Sequence, residues 1–260
     1  MTWRSARAPV AELGPGTGLG EAVLTWEGAA EGGRYRVWPS EGSHADFAPR
    51  GALQRDLAAA TEAELGECEV EQVCCGVRNS FAVIVAAFHP LTCAHPYMLS
   101  LQSGIVRIYN FLRRHRGGGG EDGLTPANVT DRGAPRPHVP APRPWLTPRP
   151  YSAALRKACP LCVEAVDVFL EILGAECANF GLKLLARGGV YIAGGIPGKL
   201  LPLLRAGAAD GGGALQRCFL RAGSRFEGVR AAMPLHVVLA KDPGLDGARA
   251  LALRALAESH

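Results

Sequence analysis

From Pro160 to Ala186, apolar residues recur at Leu161, Ala165, Phe169, Ile172, Leu173, Cys177, Phe180 and Leu184. Glu164, Asp167, Glu171 and Lys183 fall mostly between them. That spacing predicts one long helix with a core face and a wet face. From Ala52 to about Gly66, alanine and leucine alternate with Gln, Arg, Asp and Glu at helical spacing, which predicts a second, amphipathic helix. "SGIVRIYNFLRR" starts a third, with Ser103 placed to cap it. Strand patterns are shorter. "EAVLTW" and "RYRVWP" flank a glycine-rich turn, Glu27 to Gly33, and predict a β-hairpin. "EGSHADFAP" follows as a polar loop, and "EVEQVCCG" reads as a short strand ending in a turn. "GGVYIAGGIPGKLLPLL" gives a buried β-branched strand, two glycines and a proline-started helix; "MPLHVVLAKDPGLDGARALALRALAESH" repeats strand, turn and helix. Hairpin, helix, strand, helix, strand, helix together predict an α/β domain with a mixed sheet.

Two segments depart from this patterning. Val77 to Gln102 is apolar without sustained periodicity and carries two His-Pro pairs. Gly133 to about Ser152 holds seven prolines and reads as extended or disordered. His89, Cys93 and His95 in the first segment could be grouped as metal ligands, but incidental loop residues explain them better. The longest apolar run, "FAVIVAAF" from Phe81, is far too short to span a bilayer.

Charge and cysteine content narrow the functional classes. The formal net charge of +4 comes without a basic stripe interleaved with aromatics, which argues against a nucleic-acid partner. The eight cysteines follow no signal-like apolar segment, so reduced thiols in a cytoplasmic (or plastid) compartment are expected. Cys159 and Cys162 form a C-x-x-C with no second pair to complete a zinc site, which favours a buried helical pair.

The glycines carry the chemistry. Gly14-Pro15-Gly16-Thr17-Gly18-Leu19-Gly20 lacks the last glycine of G-x-G-x-x-G and precedes a hairpin, so it is not a dinucleotide fingerprint. "AGGIPGKLL" around Lys199 lacks the spacing of a P-loop. A Gly/Thr turn between strands can still offer amides and the Thr17 hydroxyl to phosphate oxygens. Gly194-Gly195 before a helix lets a purine or sugar approach the backbone.

"GPGTGLG", "EGSHADFAP", "EVEQVCCG…SGIVRIYNFL", "LGAECANFGLKLLARGGVYIAGGIPGKLLPLL" and "DPGLDGARAL" occur here in the order found in bacterial-type glucokinases. The chain resembles that family, part of the sugar kinase, heat-shock ATPase and actin superfamily, from about residue 10 to 256, outside the two odd segments. The resemblance implies the large lobe of an actin-like ATPase fold, with insertions at 77–102 and 133–152. It implies ATP and Mg²⁺ as cofactors, glucose as substrate, and a possible homodimer. Carried over residue by residue, Gly14, Gly16, Thr17 and Gly18 face the ATP phosphates, while Gly194 and Gly195 form the adenosine loop. Glu41 and His44 hydrogen-bond glucose hydroxyls, and Glu71 adds a third sugar contact. By pattern alone, Glu41 fits a solvated turn acid and His44 a loop histidine equally well; the five-motif context favours the functional roles. The family usually has glycine where Ser43 stands.

Two parts of the family's machinery are not found in this sequence. A D-x-G-G-T strand end holds phosphate and metal, and an N-D-F turn supplies the aspartate that deprotonates the sugar 6-OH. No asparagine here precedes an aspartate, and Asp210-Gly211-Gly212-Gly213 follows no strand. A small N-terminal lobe is thus expected to be missing, leaving the chain inactive by itself. Removing Val77 to Gln102 would join "EQVCCG" to "SGIVRIYNF" without a gap, as expected of a translated, unspliced intron. Three functional readings stay open: a truncated glucokinase, a non-catalytic sugar-binding or regulatory relative, and an α/β interaction domain.

Overall fold

The computed structural model describes residues 7–28, 33–75, 104–117, 160–209, 212–240 and 242–258. The two odd segments, with His89, Cys93 and His95, lie outside these residues, as do Ser103 and Cys159.

Five strands form one mixed sheet: β1 (Val10–Pro15), β2 (Leu19–Glu27), β3 (Arg34–Ser40), β4 (Gly189–Ile192) and β5 (Leu235–Val237). Their order across the sheet is β3-β2-β1-β4-β5. The β1–β2 and β2–β3 pairs are antiparallel, whereas β1–β4 and β4–β5 are parallel. The predicted hairpin is β2–β3, and β1 adds a strand ahead of it through a tight turn in which Pro15 pairs with Leu19. The glycine run therefore divides. Gly14 and Gly20 belong to strands, and only Gly16, Thr17 and Gly18 form the turn between them.

The helices are α1 (Gly51–Leu65), α2 (Val70–Val73), α3 (Gly104–His115), α4 (Pro160–Leu184), α5 (Gly195–Ala209), α6 (Ala214–Leu220), α7 (Glu227–Ala231) and α8 (Pro243–Glu258). The long helix α4 is the hub, packed against α3, α6 and β1. Its Ala165, Phe169, Ile172, Leu173, Cys177 and Phe180 are buried as the periodicity requires, while Leu161 and Leu184 are only partly covered. They share a core with Ala11 and Leu13 of β1 and Val190 and Ile192 of β4. Close approach depends on Gly174, where an added Cβ would stand 2.1 Å from the Leu215 carbonyl oxygen.

One element differs in kind from its sequence pattern. "EVEQV" forms the helical turn α2, not a strand. Val70 and Val73 are both buried at helical spacing, and Glu69 and Gln72 form a reciprocal capping box at its start. The β-branched residues suggested a strand, but the cap and the burial period decide for helix. The short helices α6 and α7 carry too little periodicity to be read from sequence. Cys68, Cys74, Cys75, Cys177 and Cys218 are free thiols, and burial pushes Cys75 up to about 11. Among the described residues no helix is long and apolar enough to cross a membrane.

Candidate active site

The loops at the C-terminal ends of β1 and β4 meet because the two strands run parallel, with Leu13 beside Ile192. The Ala193 N–H donates to the Leu13 carbonyl at 2.9 Å, and Gly194 lies against Pro15. Gly194 has φ +96°, and a Cβ there would come within 3.1 Å of the Pro15 carbonyl oxygen. A glycine is required by both the conformation and the space. Thus Gly194 and Gly195, at the start of α5, are brought next to the glycine turn near the chain start.

On the other side of that turn lies an open cleft of about 370 Å³. Gly14, Gly16, Thr17, Gly18, Glu41 and Glu71 all line it, joined by Glu21, Ser40 and Ser43. Residues thirty apart in sequence meet here through a short antiparallel bridge, Asp46 to Glu69. The Phe47 N–H donates to the Cys68 carbonyl (2.8 Å) and the Val70 N–H to the Ala45 carbonyl (3.0 Å). These bonds pull the Glu41–His44 segment, a 3-10 turn over Gly42–His44, against the start of α2. Arg50 fastens the other end of the segment, donating to the Cys218 carbonyl (2.8 Å) and to Asn179 Oδ1 (3.2 Å).

Glu71 clamps the glycine turn. Its Oε2 accepts the Leu19 N–H at 2.8 Å, and the carboxylate rests on Gly18, where a Cβ would stand 2.3 Å from the same oxygen. Within the turn the Gly16 N–H donates to the Gly18 carbonyl at 2.7 Å. The Gly16 amide in the turn and the Leu19 amide just after it are therefore committed, and Thr17 stands exposed at the tip.

The predicted sugar pair separates into two environments. The Glu41 side chain is largely exposed at the cleft mouth. His44 does not line the cleft. Its Nδ1 lies 2.8 Å from Glu69 Oε2 and its Nε2 3.8 Å from Glu41. The bond to Glu69 holds the imidazole above its ordinary pKa. Glu69 thus couples the α2 cap to the ring, a role legible only as the first letter of the E-x-x-Q cap. Ser43 is buried under the turn, with its residue lining the cleft wall.

Glu21 was not singled out by sequence. It is 5% exposed, its carboxyl is raised to about 7 by burial and then by the charge of Glu176, and its Oε1 has no hydrogen-bond partner among the described residues. Its position on a strand, inside an apolar-looking "EAVLTW", gave no signal beyond the acid itself.

A family model described as Glucokinase matches residues 2–255. The chain belongs to the glucokinase family. It is 33% identical over 241 residues to the glucokinase of Synechocystis sp., covering 92% of this chain and 57% of that protein. It is 32% identical to the glucokinase of Nostoc sp., covering 95% and 61%. This glucokinase-family chain therefore spans somewhat less than two thirds of those relatives. Among solved structures, a glucokinase from an Antarctic psychrotroph matches with TM-score 0.61 at 20% identity, over 92% of this chain and 56% of that one. A Balamuthia mandrillaris glucokinase in complex with glucose matches with TM-score 0.55 at 19% identity, over 88% and 49%. These structural likenesses establish the fold class, an actin-like α/β fold with a mixed sheet and flanking helices.

Proposed function

We propose that the chain provides the sugar-contacting and adenosine-side surfaces of an ATP-dependent glucokinase. The reaction moves the γ-phosphoryl group of MgATP to the 6-OH of glucose, giving glucose 6-phosphate and ADP. The observation that carries this reading is one cleft lined by Glu41, Glu71 and the Gly16–Gly18 turn, with Gly194 packed behind.

A carboxylate can accept hydrogen bonds from two vicinal hydroxyls, which suits Glu41 and Glu71 to a hexose. Glu41 is the exposed partner at the mouth; Glu71 arrives with one oxygen already bonded to the Leu19 amide. That bond also keeps anionic phosphate away from the Leu19 side of the turn. The exposed Thr17 side thus faces the nucleotide, and Gly194–Gly195 gives the adenosine close access to backbone. Among the described residues no group of three His, Cys, Asp or Glu side chains is arranged to hold a metal ion. Mg²⁺ in this reading arrives on the phosphates of its nucleotide.

The chemical step needs a base for the 6-OH, and such a base is commonly worth ~10²–10⁴-fold in rate. This sequence holds neither the N-D-F nor the D-x-G-G-T motif. A second reading is a sugar-binding relative without turnover. A coupled assay for glucose 6-phosphate with the purified chain, paired with glucose calorimetry, separates the two. Glucose binding lost in Glu41→Ala without turnover supports the sugar site and the need for a base from outside this sequence. Robust turnover shows that another group serves as base. No glucose binding removes the sugar site altogether.

A further inference from the structure

We propose that Glu21 is a further sugar-binding, specificity-determining residue: its carboxyl closes the floor of the cleft behind the Glu41–His44 turn and takes a hydroxyl of the bound hexose. The inference rests on the sugar-kinase reading above and adds a contact that no motif supplied.

Glu21 pairs directly with Ser40 across β2 and β3, so both side chains stand on one face of the sheet at the cleft edge. Ser40 Oγ accepts the Gly42 N–H at 2.9 Å. Glu21 Oε2 occupies the space beside Gly42, where a Cβ would stand 2.4 Å away. The carboxyl is thus built into the back of the turn that begins with Glu41. Its other oxygen, Oε1, is buried and has no partner among the described residues.

Burial without a partner costs stability, and an apolar side chain of similar size at a core-facing strand position would avoid that cost. The charged surroundings do not relieve it. Glu176 and Lys183 on α4 and, from the other face of the sheet, Glu12 on β1 act on Glu21, two acids against one base. The carboxyl is raised to about 7, which leaves it able to donate or accept near neutrality. A buried polar group that the fold leaves unsatisfied calls for an explanation, and beside a ligand cleft a bound ligand supplies one. A sugar hydroxyl, both donor and acceptor, suits a carboxyl in either protonation state, which a phosphate does not.

Glucose calorimetry on the whole chain tests this, with Glu21→Leu, Glu21→Gln and a set of monodeoxyglucoses. Glu21→Leu is expected to weaken glucose binding about tenfold or more without lowering the melting temperature. Glu21→Gln, which keeps a donor and an acceptor, stays within about threefold. One monodeoxyglucose should bind the wild type and Glu21→Leu equally, because it lacks the hydroxyl that Glu21 takes. Unchanged glucose affinity in Glu21→Leu overturns the proposal, and so does an equal loss for every analogue. On the unaltered chain, the Glu21 side-chain carboxyl ¹³C resonance should shift on saturation with glucose, and a stationary signal also overturns it. Glucose binding that is lost in Glu41→Ala but kept in Glu21→Leu rejects this proposal alone. A wild type that binds no glucose rejects it together with the sugar site.

Discussion

The two walls of the cleft share a plan and differ in how it is completed. On each, a glutamate carboxyl presses on a glycine of a tight turn: Glu71 on Gly18, and Glu21 on Gly42. Glu71 has a backbone partner, the Leu19 amide, while one oxygen of Glu21 has none among the described residues. The first wall is completed by the chain's own backbone. The second holds an uncompensated polar group, the kind of local cost that binding sites retain.

The largest expected difference between the walls is in pH dependence. Folding raises Glu21 from 4.5 to about 7, so its protonated form is the one the fold favours. Its contribution is fully present below pH 4.5 and is lost as pH rises through 7. A shift of that size corresponds to about 3 kcal/mol. Burial also raises Glu12, Asp167 and Glu171, which gives the same sign. Thermal melts should therefore show stability falling from pH 5 to pH 8, and Glu21→Leu should flatten that slope and melt higher at pH 8. An unchanged slope would mean that Glu21 is solvated.

Alanine at the two glycines separates the walls next. At Gly42 the new Cβ meets Glu21 Oε2 at 2.4 Å and Ser40 Oγ at 3.0 Å, and the buried glutamate has little room to yield. Gly42→Ala should cost about 1–3 kcal/mol in denaturant melts, with part of the loss recovered when Glu21→Ala is added. Gly18→Ala meets only the Glu71 carboxyl, which can swing into the open cleft, so its cost should stay near or below about 1 kcal/mol. Equal costs for the two substitutions would show that both carboxyls are equally free.

Removing the clamp itself has a smaller effect. Glu71→Ala leaves the Leu19 amide without its carboxylate and is expected to cost about 1 kcal/mol. Its clearer signature is faster amide exchange at Leu19. Smallest is the effect of Glu69→Gln on His44. The imidazole is raised chiefly by its bond to Glu69, so histidine resonances followed against pH should return towards the ordinary value near 6.5. A His44 titration that does not move would assign the shift to Glu41 and Glu71 instead.

Much of the frame was legible from period alone. Helix α4 was clear because its core face repeats over many turns, and β2–β3 because strands flank a glycine turn. "EVEQV" was misread because four residues are too few to establish a period, and its valines favour strands until the Glu69–Gln72 cap is seen. Family motifs pointed to Glu41, His44 and Glu71, but not to their separate settings. The turning of His44 towards Glu69 depends on a bridge between segments more than twenty residues apart.

By itself, the sequence determined the α/β class, the glycine turns, the family and the acids around a candidate sugar site, because these depend on local period and on residue types in fixed order. Only the tertiary structure decided which of those acids is satisfied. Glu71 finds an amide and Glu21 does not, because strand register and the Asp46–Glu69 bridge set the distances between groups remote in the chain. Solvation and hydrogen bonding act over a few ångströms in space, and sequence order does not encode those distances.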